Sequence, residues 1–288
     1  MVTSLLDWTS EIPTWLLGLL LLAGALAAAS AGHRLRLRGD RRRKATDSGL
    51  ATDNQEGYIV SGVLGLLALM LGFTLAMAVD RFDTRRVLVL QEANAIGTTY
   101  LRAQLLEEPH RARISKLLVD YTNNRIVLAQ ASRGKDTPLL ADNDRMLTDL
   151  WAETAAAFET IADLDFSTAF IDSVNDVINL DAARKASRLA HVPTTVLAVL
   201  AIYIVVTGGV LGYVLTGFRG QLAGAFLITL LIFSLAMIID LERPTMGSIV
   251  ESQVPMELLL KSFENQPSEV FDRWRSAQSP VSREETRP

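Results

Sequence analysis

Four stretches of this chain carry no charged residue and no histidine for long enough to cross a bilayer, and they constrain the fold more than any other feature. They lie between Glu11 and His33, between Glu56 and Asp80, between His191 and Arg219, and between Arg219 and Asp240. A helix needs about 20 apolar residues to span the hydrocarbon core. No water is present there, so the backbone must satisfy its own hydrogen bonds, as a helix does. A hydrophobic content of 49% over 288 residues, gathered into these windows, predicts a multi-pass, all-α membrane protein.

The windows divide the chain. Residues 1–33 hold the first transmembrane helix, 34–57 an Arg-rich loop, and 58–80 the second helix. Residues 81–190 form an extramembrane domain, 191–240 a transmembrane hairpin around "TGFRGQL", and 241–288 a C-terminal segment that is polar and frayed at its end. "LAAASAG" resembles a signal-peptide cleavage site, but Asp7 and Glu11 precede the run and no base does. A signal peptide begins with positive charge, so the run is read as a retained helix.

The extramembrane segment reads as helical. Ile114, Leu117, Leu118, Tyr121 and Leu128 fall at helix-face spacing. So do Met146, Leu147, Leu150, Trp151, Ala155, Phe158 and Ile161, and then Phe170, Ile171, Val174, Val177 and Ile178. "RGKDTP" is the clearest break. No run alternates as a strand, so the domain is expected as a helical bundle continuous with helices two and three.

Chemistry is hard to place on this chain. There is no cysteine, which excludes disulfides and thiolate sites, and the three histidines stand far apart. HExxH, GxSxG, P-loop and dinucleotide motifs are missing. Carboxylates sit among bases on helix faces and read as a solvated surface. The chain is read as no enzyme, with no cofactor, no metal site and no nucleic-acid partner. The glycines fall mostly in the spans, where small residues let helices approach closely.

The second helix is the informative one. Ser61, Gly65, Leu69, Phe73 and Met77 form one ridge at a spacing of four, and Ala68, Gly72, Ala76 and Asp80 form its neighbour. Several copies around an axis would turn Leu69 and Phe73 into stacked apolar rings, a constriction that gates by dewetting. Lipid-facing or core positions would show the same spacing. The helix then runs into "DRFDTRR" without a Gly or Pro. Asp80, Arg81 and Arg85 are exit candidates, since an acidic ring favours cations and a basic ring anions. Helix-end anchoring or local ion pairing explains them equally. Asn94, Thr98 and Arg102 share a face, as do Glu92 and Thr99, and either stripe suits a wet vestibule or an ordinary solvated surface. Asp240, Glu242 and Arg243 read as a structural cap after the fourth helix.

"LGF", with seven residues between it and Arg81–Phe82, resembles the pore helix of bestrophins, where a Gly-Phe precedes an Arg-aromatic pair at this interval. "AVDRFDTRR" is similar to the same stretch of bacterial bestrophins. "IDLERPTMGSIVESQVPMELL" resembles their later segment through Glu242, Pro244, Gly247, Pro255 and Glu257, with Met246 as one extra residue. The whole chain, "EANAIGTTYLR" especially, looks like the bestrophin-like bacterial membrane proteins. The resemblance implies a homo-oligomer in the bacterial inner membrane, a pentamer around a pore for small inorganic ions. It implies Phe73 as the neck Phe, Leu69 as a second neck position and Gly65 at a third that is bulky in the family. The calcium-binding acidic run of animal bestrophins has no counterpart, so calcium gating is not expected. The resemblance implies a cytoplasmic domain. The bases at Arg34, Arg36, Arg38, Arg41, Arg42, Arg43 and Lys44 imply the reverse by the positive-inside rule. The expected function is an ion channel. The alternative is a non-conducting scaffold or sensor, since no charge lies within the spans.

Overall fold

The computed structural model describes residues 13–44, 53–131, 136–243 and 249–272. The described elements are helices α1 (Thr14–Lys44), α2 (Asp53–Ala103), α3 (His110–Gln130), α4 (Asp136–Ile161), α5 (Phe166–Leu189), α6 (Thr194–Val214), α7 (Gly217–Leu241) and α8 (Val254–Asn265), with a 3-10 turn at Ser268–Phe271. No strand occurs among the described residues. Four helical stretches are long and apolar enough to cross a membrane. The chain is an all-α, multi-pass membrane protein. It divides into two compact units, Met1–Asp83 with Ala190–Val250, and Thr84–Leu189 with Glu251–Pro288.

In the first unit, α6 packs along α1, and α7 against both. Small residues set that spacing. A methyl group on Gly212 would run into the Ala29 carbonyl oxygen, and one on Gly208 would stand 2.7 Å from the carbonyl oxygen of Ala25. Backbone therefore meets backbone, as small residues permit in lipid, where hydrophobic drive between helices is absent. Leu67, Leu71 and Ala78 of α2 are buried in the cluster that holds Leu200, Ile204, Ile228 and Leu235.

Residues 34–44, expected as part of a loop, continue α1 as helix to Lys44. Nothing in "HRLRLRGDRRRK" forces a stop, and two side-chain contacts favour the extra turns. Arg36 Nε lies 3.8 Å from Asp40 one turn on. Its Nη1 also donates to the carbonyls of Tyr213 (2.9 Å) and Val214 (2.7 Å). Those carbonyls close α6, where the last turn lacks intrahelical donors and carries the negative end of the dipole.

Between α5 and α6 the helix is interrupted at residues 190–193. Pro193 has no N–H to give. The break is tied down by Glu242, which accepts the Val192 N–H at 2.7 Å. Asp240 accepts the N–H of Ile249 at 3.2 Å. Both acids of the expected cap thus accept a backbone N–H from a neighbouring segment. Pro244 and Gly247 lie outside the described residues, as do the first three residues of "RGKDTP" and residues 273–288 of the segment expected to fray.

The second unit packs α3 against α4 and α8, and α4 against α5. Its core takes Ile114, Leu118, Tyr121, Leu150, Phe170, Val174 and Val177 as the helix-face spacing predicts. Trp151 and Phe158 depart from that expectation and stand exposed.

The reading of the carboxylates as a solvated surface fails for the most important of them. Glu92, Asp181, Asp240, Glu242 and Glu251 are buried or nearly so. Each meets a base, a hydroxyl or a backbone N–H from a segment distant in sequence, which interleaving along one helix cannot reveal.

Candidate functional site

Helix α2 shows two faces along its described length. The inward face steps through Leu67, Leu71, Thr74, Ala78, Arg85, Val89, Glu92, Ile96, Thr99 and Ala103, all buried. Steps of three, four and, from Ala78 to Arg85, seven residues keep one side of the helix inward. Thr74, within the span, turns its hydroxyl onto the Met70 carbonyl at 2.7 Å and so buries no free donor.

The opposite face is open. Gly65, Leu69, Phe73, Ala76, Met77 and Asp80 are exposed, with Leu69 at 56% and Phe73 at 64%. A methyl group on Gly65 would meet nothing within 4 Å. Both ridges read from the sequence therefore lie on this face. Beyond Asp80 the same side continues through Asp83, Val87, Leu90, Asn94, Thr98 and Leu101, again exposed.

The exit candidates separate. Asp80 is exposed on the open face. Arg81 is partly covered, with its Nη1 3.5 Å from Glu242 Oε2. Arg85 is 3% exposed, with its Nε 2.9 Å from Glu251 Oε1. Of the vestibule candidates, Asn94 and Thr98 are exposed, while Arg102 donates to the Ala169 carbonyl. The second stripe, Glu92 with Thr99, points into the bundle. Thr99 donates to the carbonyls of Ala95 (2.8 Å) and Ser173 (2.9 Å).

Glu92 organises a buried polar cluster that the sequence did not disclose. Tyr121 donates to its Oε1 at 2.6 Å. Arg125 Nε lies 3.1 Å from the same oxygen, and Arg184 binds Oε2. Arg125 also reaches Asp181 Oδ1 at 3.1 Å, and Asn143 donates to that oxygen at 3.0 Å. Two buried carboxylates thus face two buried guanidiniums. Burial, and then the Glu92 charge, push the Tyr121 hydroxyl well above its ordinary pKa. For Arg125, burial opposes the charge, and Glu92 with Asp181 outweighs it, so its pKa rises. The only sequence sign was the coincidence of Glu92, Tyr121 and Arg125 with otherwise apolar helix faces.

Known proteins share this architecture. A crystal structure of a single-residue variant of a bacterial bestrophin homologue from Klebsiella pneumoniae matches with TM-score 0.63 at 14% identity, covering 90% of this chain and 98% of that one. Another bestrophin homologue structure from Klebsiella pneumoniae matches with TM-score 0.61 at 15% identity, over 88% of this chain and 97% of that one. At such identities the likeness speaks for the fold alone. No curated protein gives a significant match. The family model for the bestrophin-like domain covers residues 21–256. With most of its length under that model and a bestrophin homologue's fold matched over 90% of it, the chain belongs to the bestrophin-like family.

Proposed function

We propose that this protein is an oligomeric ion channel of the bacterial inner membrane, built from several copies whose α2 helices turn their open faces towards a common axis. A pentamer is the stoichiometry the family resemblance favours. The observation that carries the reading is the open face itself. Leu69, Phe73 and Met77 are unburied within one chain, and the apolar exposure continues past Asp80 at Val87, Leu90 and Leu101. Lipid accounts for exposed apolar residues within a span. Beyond the span, large exposed apolar patches mark surfaces that another molecule covers.

In this reading Leu69 and Phe73 form the neck, and Gly65 leaves a wide entrance before it. Asp80 supplies the first charge at the exit. Arg81 and Arg85 hold the wall through Glu242 and Glu251 instead of presenting free positive charge. An exposed acidic ring favours cations. Asn94 and Thr98 are the polar wall of the vestibule.

The test is reconstitution of the full chain in liposomes, with particle mass in detergent and reversal potentials in a salt gradient. The expected result is an oligomer that conducts, with flux increased by Phe73→Ala. A well-folded oligomer that passes no small ion overturns the channel and leaves the non-conducting scaffold or sensor.

A further inference from the structure

Helices α1, α6 and α7 line an open-sided cavity of about 550 Å³ in the first unit, to which no residue of α2 contributes. Ligand pockets generally measure roughly 300–1,000 Å³. Most of its lining is apolar, including Leu26, Ala29, Leu211, Leu215 and Ile228. Its rim is polar, with Ser30, His33 and Arg34 from α1 and Gln221 from α7. The Gln221 amide nitrogen lies 3.3 Å from His33 Nδ1, so α1 and α7 meet at the rim.

The position of the rim along the chain identifies what enters. His33 closes the first uncharged window, so the rim sits where hydrocarbon gives way to headgroups. Arg34, Arg38 and Arg41 are all exposed just beyond it. Bases clustered at the end of a transmembrane helix attract anionic lipid headgroups. A wall of leucine, isoleucine and alanine does not suit a free inorganic ion, and a cationic rim gives no advantage to a neutral detergent. An acyl chain with an anionic head satisfies both ends.

We propose that this cavity binds an anionic phospholipid from the leaflet on the Arg-rich side, with one acyl chain against Leu26 and Ile228 and the phosphate at Arg34 and His33. No residue of α2 lines the site, and its occupancy does not depend on whether the protein conducts.

The full chain is incorporated in nanodiscs of phosphatidylcholine mixed with phosphatidylglycerol, extracted into mild detergent, and its retained lipid measured by native mass spectrometry. Phosphatidylglycerol is expected to be retained over phosphatidylcholine. Arg34→Ala should lower that retention about fivefold, the worth of one juxtamembrane base at an anionic surface. Ala225→Trp, which fills the cavity from α7, should abolish retention while Arg34 is intact. Arg34→Ala is a surface change, so it reports even where Ala225→Trp does not fold. Inorganic phosphate added in excess should not displace the lipid. Equal retention of both lipids, displacement by phosphate, or full retention in a folded Ala225→Trp variant would each overturn the site.

Discussion

The guanidinium Nε of Arg85 lies 2.9 Å from Oε1 of Glu251, and both side chains are almost fully buried. A base that the sequence offers to an ion path is thus spent on an internal pair. Arg85 is on the face of α2 that also carries Ala78 and Val89. Seven residues are two helical turns at this spacing, so Arg85 follows Ala78 inward.

Removing one member of that pair strands the other in the interior. Arg85→Ala should cost about 3–5 kcal/mol, the usual penalty for breaking a buried ion pair. Replacing both residues with apolar ones of similar size should recover most of the loss. A double-mutant cycle by thermal or denaturant unfolding checks this. Additive losses would mean that the two side chains do not interact.

The Glu92 cluster makes the same point more strongly. Arg125→Met leaves Glu92 and Asp181 short of a guanidinium, and a loss of about 3–5 kcal/mol is expected. Loss of folded protein on size-exclusion chromatography is the simplest readout. An unchanged melting temperature would show that the cluster is not a structural centre.

Tyr121 gives a pH dependence with a definite sign. Its folded pKa is raised, so its hydroxyl stays protonated in the fold after it has ionised in the unfolded chain. The stabilisation is fully present below the unfolded value of about 10. It is lost as pH rises from there through the folded value. Tyr121→Phe removes this ionisation and a hydrogen bond to a carboxylate, at a cost of about 1.5–3 kcal/mol near neutrality. The gap between variant and parent should narrow above pH ~10. Unfolding curves at neutral and alkaline pH measure it, and a constant gap would contradict the assignment.

Glycines in the spans are expected to divide sharply. Gly212→Leu drives a side chain into the Ala29 backbone and should exceed the ~1–3 kcal/mol of ordinary overpacking. At Gly65 an added Cβ meets nothing within 4 Å in its own chain, so Gly65→Leu should leave stability nearly unchanged. In a conducting oligomer Gly65→Leu should lower flux by adding a third apolar ring. Melting temperature and liposome flux on the same two variants separate packing from pore.

Of the exit candidates Asp80, Arg81 and Arg85, Asp80 is the exposed one, on the open face. Asp80→Asn should move the reversal potential towards anions, while Arg81→Gln should alter stability more than selectivity. The opposite pattern would assign the selectivity to Arg81.

The sequence by itself determined the all-α class, the four spans and most of the bundle core. Each follows from hydrophobic period and run length, which act locally. It also marked Leu69, Phe73 and Gly65 as sharing a ridge, because a helix fixes the angle between positions. Tertiary structure alone decided which side of that ridge is covered. Which of Asp80, Arg81 and Arg85 is spent on an ion pair depends on Glu242 and Glu251, more than 150 positions away along the chain. The same holds for Glu92, whose partners come from α3 and α5. Charge interleaving on one helix predicts a wet surface. A buried network needs the partner helix in place, and only packing supplies it.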